Sequence, residues 1–180
     1  MWNTRESWIV FGPSSQVQIV TYAASIRLAC LGIGDPEHPD LTLVEVTRIE
    51  SIAVELHRRS RLASPPDPHT LAPLAGVLLT RLSPDDDMGA STGPTRARYV
   101  GCENPREDGL AAAFALAGSL VLQRDLPWSA IYRWRLAAEL LVPAWAIDVT
   151  GVDRLAASHP CAPAWLVEQR ATQAMHAAAK

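Results

Sequence analysis

The stretch AAAFALAGSLVLQRDLP, residues Ala111–Pro127, decides how the rest of the chain is interpreted. Its first thirteen residues are almost wholly apolar and contain no proline, with Gly118 and Ser119 at their centre. Apolar residues on every side predict a helix that is buried in a core. The run falls short of the roughly 18 uncharged residues that a membrane-spanning helix needs. We therefore expect it to be the central helix of a globular domain.

Composition favours one compact domain in a reducing compartment. The chain has 180 residues, 48% of them hydrophobic, and a net charge of -3. No chain-wide basic field attracts nucleic acid or an acidic membrane, so direct binding to either is not expected. Cys30, Cys102 and Cys161 are odd in number and form no CxxC pair, which indicates neither a disulfide framework nor a cysteine zinc site. We expect a cytoplasmic protein with reduced thiols.

Helices are predicted on both sides of two short strands. A first helix ends at Gly32 within an N-terminal extension, residues 1–42, and a second covers TLVEVTRIESIAVELHRRSRL, residues 42–62. The cluster HRRSR at its end, residues 57–61, is interpreted as a solvated face. LLTRL (78–82) and RARYVGC (96–102) are strand-like, and helices follow in 128–147 and in the tail.

The order of these segments resembles the ImmA/IrrE family of zinc metallopeptidases. FALA, Phe114–Ala117, resembles the start of the family's catalytic helix, and LAAELLVP, Leu136–Pro143, resembles its next helix. SPPDPHTLAPLAGVLL, Ser64–Leu79, resembles the family's opening turn, helix and strand. The resemblance covers about residues 43–170, leaving 171–180 as a tail. It implies a mostly helical α+β, zincin-like domain, with a small antiparallel sheet beside the active-site-type helix.

The family's catalytic residues are missing from the matching positions. The two zinc-binding histidines and the glutamate base of the family fall on Gly118, Leu122 and Ser119, none of which can perform that chemistry. The family's third ligand, an acidic residue, falls in SAIYRWR (129–135), which has no acid. We expect no catalytic residue, no metal and no cofactor. Apolar packing is expected to fill these positions, because buried histidines without zinc would be costly.

A rebuilt site has little support elsewhere in the chain. No histidine has a histidine partner four residues on, and Asp85–Asp87 is interpreted as a solvated loop. His159 and Cys161 are two residues apart in a segment interpreted as a capping turn, and Ser119 has no histidine or lysine base within one turn. An active peptidase with a rebuilt site stays open as an alternative, as does an assembly role for residues 1–42.

A pseudo-metallopeptidase that binds a partner protein is the function that these observations favour. Because the resembled enzymes cleave helix-turn-helix regulators, the resemblance implies such a regulator as partner, in a bacterial, phage, mobile-element or stress-response setting. Trp134 and Trp145 are expected in the core. The candidate contact residues lie at the N-terminus and along the second strand: Trp2, Trp8, Tyr99, Val100, Gly101 and Cys102.

Overall fold

The computed structural model describes residues 41–61, 67–83, 93–147 and 159–178. Trp2, Trp8, the predicted helix before Gly32 and the acidic run 85–87 lie outside the described residues. Among the described residues, the elements follow in the order α1 (Leu43–Ser60), α2 (Pro68–Leu74), β1 (Leu78–Leu82), β2 (Arg96–Val100), α3 (Pro105–Gln123), α4 (Ala130–Leu141), a 3-10 turn (Ala144–Ala146) and α5 (Ala164–Ala178). The prediction of a mostly helical α+β protein with a small sheet is confirmed.

Polar side chains cap the helices at the points where loop residues give way to apolar residues at helical spacing. Thr42 and Glu45 form a reciprocal capping box at the start of α1. Asp67, Asn104 and Ser129 accept hydrogen bonds from main-chain N–H groups in the first turns of α2, α3 and α4. These caps satisfy donors that have no partner inside the helix, and they determine where each helix begins.

Helix α3 lies at the centre of the core, as its sequence predicts. Every residue from Gly109 to Val121 is buried. The helix packs mainly against α4 and β2, and the ring of Phe114 stacks on that of Trp134 with centroids 3.9 Å apart. The many alanines of α3 let neighbouring elements approach closely. None of the helices in the described ranges is both long and apolar enough to span a membrane.

The two strands are parallel, so the predicted antiparallel sheet is wrong. The register pairs Leu78 with Arg96 and Leu82 with Val100. Because the pair is parallel, β2 begins beside the start of β1, whereas in an antiparallel pair it would begin beside the end of β1. Ala97 and Tyr99 are buried on the face of β2 that packs toward α3. The zincin-like arrangement therefore stays a prediction.

Candidate functional site

The three positions that match the metallopeptidase motif have different environments on α3. Gly118 and Ser119 are buried, and the Ser119 hydroxyl donates a 3.2 Å hydrogen bond to the main-chain carbonyl of Arg96. Leu122 is 40% exposed, so the expectation of a filled core is wrong at this position. Because the Ser119 hydroxyl is held by a carbonyl and not by a base, the structure gives it no activation as a nucleophile.

Residues 129–135, which match the position of the family's third zinc ligand, have side chains that stabilise the fold. Ser129 caps α4, and the Tyr132 hydroxyl donates to the Glu45 carboxylate, which lowers the pKa of Glu45. The Arg133 guanidinium lies between the rings of Phe114 and Trp128, 4.7 and 4.5 Å from their centroids. No group of three possible metal-binding side chains occurs within the described part of the chain.

The SHPC segment packs against the start of α3. His159 is buried, and Cys161 lies beside Gly109, where an added Cβ would be 2.8 Å from the Cys161 Cβ. Burial raises the pKa of the Cys161 thiol, and nearby Asp67 and Asp108 raise it further. A thiol whose pKa is raised stays protonated at neutral pH, so it is a poor nucleophile or metal ligand.

Strand β2 has one edge that is not paired with β1. Leu78 N–H donates to Thr95 O and Gly101 N–H donates to Leu82 O. Since alternate residues of a parallel strand bond to the same neighbour, the main-chain groups of Arg98 and Val100 point away from β1. Within the described ranges, no main-chain hydrogen bond forms on that side of these two residues.

Burial limits which of the predicted contact residues on β2 a partner could touch. Tyr99 and Val100 are 3% and 5% exposed, whereas Gly101 and Cys102 are partly exposed. Arg98 is also partly exposed, whereas Arg96, whose main chain points the same way, is exposed but already bonded to Gly93 through its N–H and its carbonyl. The candidate contact surface on β2 therefore centres on Arg98, which lies in the predicted strand but outside the predicted contact residues Tyr99–Cys102.

Tyr99 serves as a structural link between four elements. Its hydroxyl donates to Asp108 Oδ2 at 3.2 Å and lies 2.8 Å from His69 Nε2. The other oxygen of Asp108 accepts from Arg81 Nε at 2.9 Å and from the Cys102 main-chain N–H at 2.8 Å. Burial raises the pKa of the Tyr99 hydroxyl, and the charge of Asp108 raises it further. The hydroxyl therefore stays protonated at neutral pH. This network joins α2, β1, β2 and the first turn of α3.

The thiol of Cys102 is not primed for catalysis. Burial raises its pKa, and the carboxylates of Glu107 and Asp108 raise it further. Reactive cysteines need the opposite, an electropositive surrounding that lowers the pKa. Cys102 therefore remains a candidate contact residue and offers no support for a rebuilt hydrolase.

A buried charged cluster lies between α4 and α5, and the sequence prediction did not find it. The Glu139 carboxylate is 2.8 Å from the Arg135 guanidinium and 2.5 Å from that of Arg170. Glu139 also accepts from the Ala144 main-chain N–H at 3.3 Å, and Arg170 donates to Val142 O at 3.0 Å. The charged groups of this cluster pair with one another and with main-chain groups, although the buried Nε of Arg135 has no hydrogen-bond partner among the described residues, and we assign the cluster to stability. The one available signal was an acidic residue inside the apolar motif LAAELLVP.

His57 is a second buried polar group that sequence reasoning missed. It is 4% exposed, its Nε2 is 3.3 Å from the Glu139 main-chain carbonyl, and its ring meets Trp145 edge-on. Arg58 and Arg59 beside it are exposed, so the solvated-face interpretation holds for the arginines and is wrong for His57. Trp145 itself is 49% exposed, which contradicts the expected core position, whereas Trp134 is buried as expected.

No protein-family model, curated protein or solved structure matches this chain. The resemblance to zinc metallopeptidases accordingly rests on the quoted motifs and remains a prediction.

Proposed function

We propose that this protein is a catalytically inactive pseudo-metallopeptidase that binds a partner protein and leaves it intact. The observation that carries the proposal is the outward-facing main chain of Arg98, on a strand packed against a helix whose motif positions lack metal ligands. An exposed strand edge offers N–H and C=O groups to an extended segment of another chain. Binding at such an edge requires neither zinc nor a general base.

The partner class that we propose is a helix-turn-helix regulator, in a bacterial or phage cytoplasm. This choice rests on the resemblance to peptidases that cleave such regulators. An extended segment of the regulator would pair with β2 at Arg98, and the protein would hold it without cutting it. The N-terminal tryptophans, Trp2 and Trp8, are the second candidate contact surface.

The edge is tested with a labelled nine-residue peptide, TVTQTQTVT, whose binding is followed by fluorescence anisotropy. Arg98→Pro removes the outward N–H and the charge, whereas the matched control Arg98→Gln removes only the charge. We expect binding to Arg98→Gln and a loss of about tenfold or more in Arg98→Pro, with both variants folded by circular dichroism. Equal binding to both variants would contradict a role for the β2 edge.

Inactivity is tested with the same samples. Mass spectrometry after a day of incubation should find the peptide, and any helix-turn-helix regulator that binds, at full length. Metal analysis of the purified protein should find no stoichiometric zinc. Cleavage, or one tightly bound zinc ion per chain, would favour the alternative of a rebuilt active site. Loss of binding only on removal of residues 1–40 would assign the function to the N-terminal extension.

A further inference from the structure

The two-stranded sheet has a second edge, along β1. The main-chain groups of Leu78 and Leu82 bond to the β2 side, so those of the alternate residues Leu79 and Arg81 point away from it. Within the described ranges, neither Leu79 nor Arg81 forms a main-chain hydrogen bond on the outer side. The outer edge of β2 differs, because a bridge to Gly93 occupies its first residue. The edge of β1 is therefore open along the whole strand.

Strand β1 is apolar, and none of its residues is buried. Three of its five residues are leucines, and Leu78 is 61% exposed. Its one charged residue, Arg81, is paired within the same chain with Asp108 at 2.9 Å. Soluble proteins usually protect an exposed edge strand with free charges, proline or a bulge. Because β1 has none of these, its edge favours pairing with another strand.

The helices that cover the sheet pack mainly on elements other than β1. Helix α3 packs more extensively on β2 than on β1, and α2 packs more extensively on α1 and α3. Thr80 is paired with Arg98, so its side chain lies on the face opposite to buried Tyr99 and to α3. Thr80 is partly exposed, and a second strand could approach it without displacing a core residue.

The strand is complementary to a second copy of itself. In an antiparallel pair with Thr80 opposite Thr80 of the second copy, Leu79 of each chain lies opposite Arg81 of the other. All of these outward residues then exchange two main-chain hydrogen bonds with their partners. A register centred on Leu79 would need the N–H of Val77, which already donates to Ala72 O at 2.9 Å. One centred on Arg81 would place two arginines directly opposite each other, which is destabilising.

We propose that β1 pairs with β1 of a second copy of this chain, in a twofold-symmetric dimer whose two sheets join into one. Such an interface is self-complementary, as a twofold axis requires. Its central pair, Thr80 with Thr80 of the second copy, is one that stabilises adjacent antiparallel strands. The interface is small, so the dimer forms reversibly. The outer edge of β2 at Arg98 takes no part in it, and the proposed capture of a partner protein is measured separately.

Sedimentation velocity of the full chain at rising concentration tests the dimer. We expect the average mass to rise from that of one chain toward that of two. Thr80→Lys places two ammonium groups in the closest pair of the interface and should raise the dissociation constant about fivefold or more at low salt. Thr80→Glu should have the same effect, and an equal mixture of the two variants should restore the dimer. The control Ser51→Lys, at an exposed position of α1, should leave the dissociation constant unchanged.

Cysteine cross-linking tests the register. In the proposed pair the Cα atoms of the two Thr80 residues are about 4.5 Å apart, so Thr80→Cys should form a disulfide between chains under mild oxidation. Leu78 is more exposed but lies opposite Leu82 of the second copy, about 14 Å from the other Leu78. Leu78→Cys should therefore remain largely unlinked. Mass spectrometry of a protease digest identifies the linked residues.

Three results would overturn the proposal. The first is the mass of one chain at every concentration. The second is a dimer that Thr80→Lys leaves as strong as before, because another surface, with residues 1–40 first to be tested, would then form the interface. The third is equal cross-linking of Thr80→Cys and Leu78→Cys, which would contradict the register. Circular dichroism of each variant confirms that it is folded before its mass is interpreted.

Discussion

The hydroxyl of Ser119 donates a 3.2 Å hydrogen bond to the main-chain carbonyl of Arg96 and so joins the C-terminal third of α3 to the first residue of β2. Ser119 is fully buried, and Arg96 O also accepts from the Gly93 N–H at 2.8 Å. A buried hydroxyl with its partner in place stabilises the fold modestly, whereas a buried polar group without one is costly. Ser119 is at the position that matches the general base of the zinc metallopeptidases, and its side chain forms a structural hydrogen bond between α3 and β2.

Reintroducing the motif residues should affect stability unequally. Ser119→Glu places a carboxylate in a fully buried position and removes the tie to Arg96, so we expect a loss of about 3 kcal/mol or more. Leu122→His changes a residue that is 40% exposed and should cost under about 1 kcal/mol. Urea denaturation of both variants in a chelator measures the difference. If the two variants lost the same free energy of unfolding, the burial of Ser119 would not explain the cost of Ser119→Glu.

Removing the Glu139 carboxylate should be strongly destabilising. Glu139→Ala leaves the buried guanidinium of Arg170 and that of Arg135 without their shared partner. Breaking a buried ion pair from one side costs about 3–5 kcal/mol. A control that removes both charges, Glu139→Leu/Arg170→Met, should recover much of this loss. A double variant less stable than the sum of its single changes would contradict the ion-pair explanation.

The helices could be predicted from the sequence because caps and apolar periodicity are local signals. Thr42 with Glu45 marks the start of α1, and the apolar run around Phe114 predicts a buried α3. The direction of β2 could not be predicted in this way. RARYV has the same alternation of side chains in a parallel or an antiparallel pair, so this pattern does not distinguish the two directions.

Sequence reasoning missed the buried polar residues for a different reason. His57 and Arg170 have side chains that are usually solvated, and their burial depends on partners from other helices. The partner that both of them contact is Glu139, on α4. On the candidate surface, Arg98 lies outside the predicted contact residues because its outward orientation follows from the parallel register and not from the local sequence.

Gly109→Ala should destabilise the protein although alanine favours helices. Helix propensity alone would make the change favourable by about 1 kcal/mol. The added Cβ, however, would lie 2.3 Å from the Cys161 carbonyl oxygen, which is main chain and cannot rotate away. We expect a net loss of about 1–3 kcal/mol by urea denaturation. At Gly101 the added Cβ would meet the flexible end of Arg81, so Gly101→Ala should cost less. If Gly109→Ala were more stable than the parent, the close packing of α3 on residues 159–163 would be disproved.

The stability of the protein should fall at mildly acidic pH through His57. Burial lowers the pKa of His57 below its ordinary value of 6.5, and the charge of His159 lowers it further, although the Glu139 main chain and carboxylate and the Leu140 main chain raise it. The unfolded chain, with a pKa near 6.5, therefore binds a proton that the folded chain does not. The contribution of neutral His57 is fully present above about pH 6.5 and is lost as the pH falls below that value.

The expected result is a free energy of unfolding that decreases between pH 6.5 and pH 5, measured by urea denaturation at intervals of half a pH unit. His57→Gln keeps a donor for the Glu139 carbonyl, 3.3 Å from Nε2 in the parent, but cannot be protonated, so its slope over this range should be smaller. The neighbouring change Arg58→Gln, at an exposed position, should leave the slope unchanged. Parallel slopes for the parent and His57→Gln would mean that other groups cause the acid sensitivity.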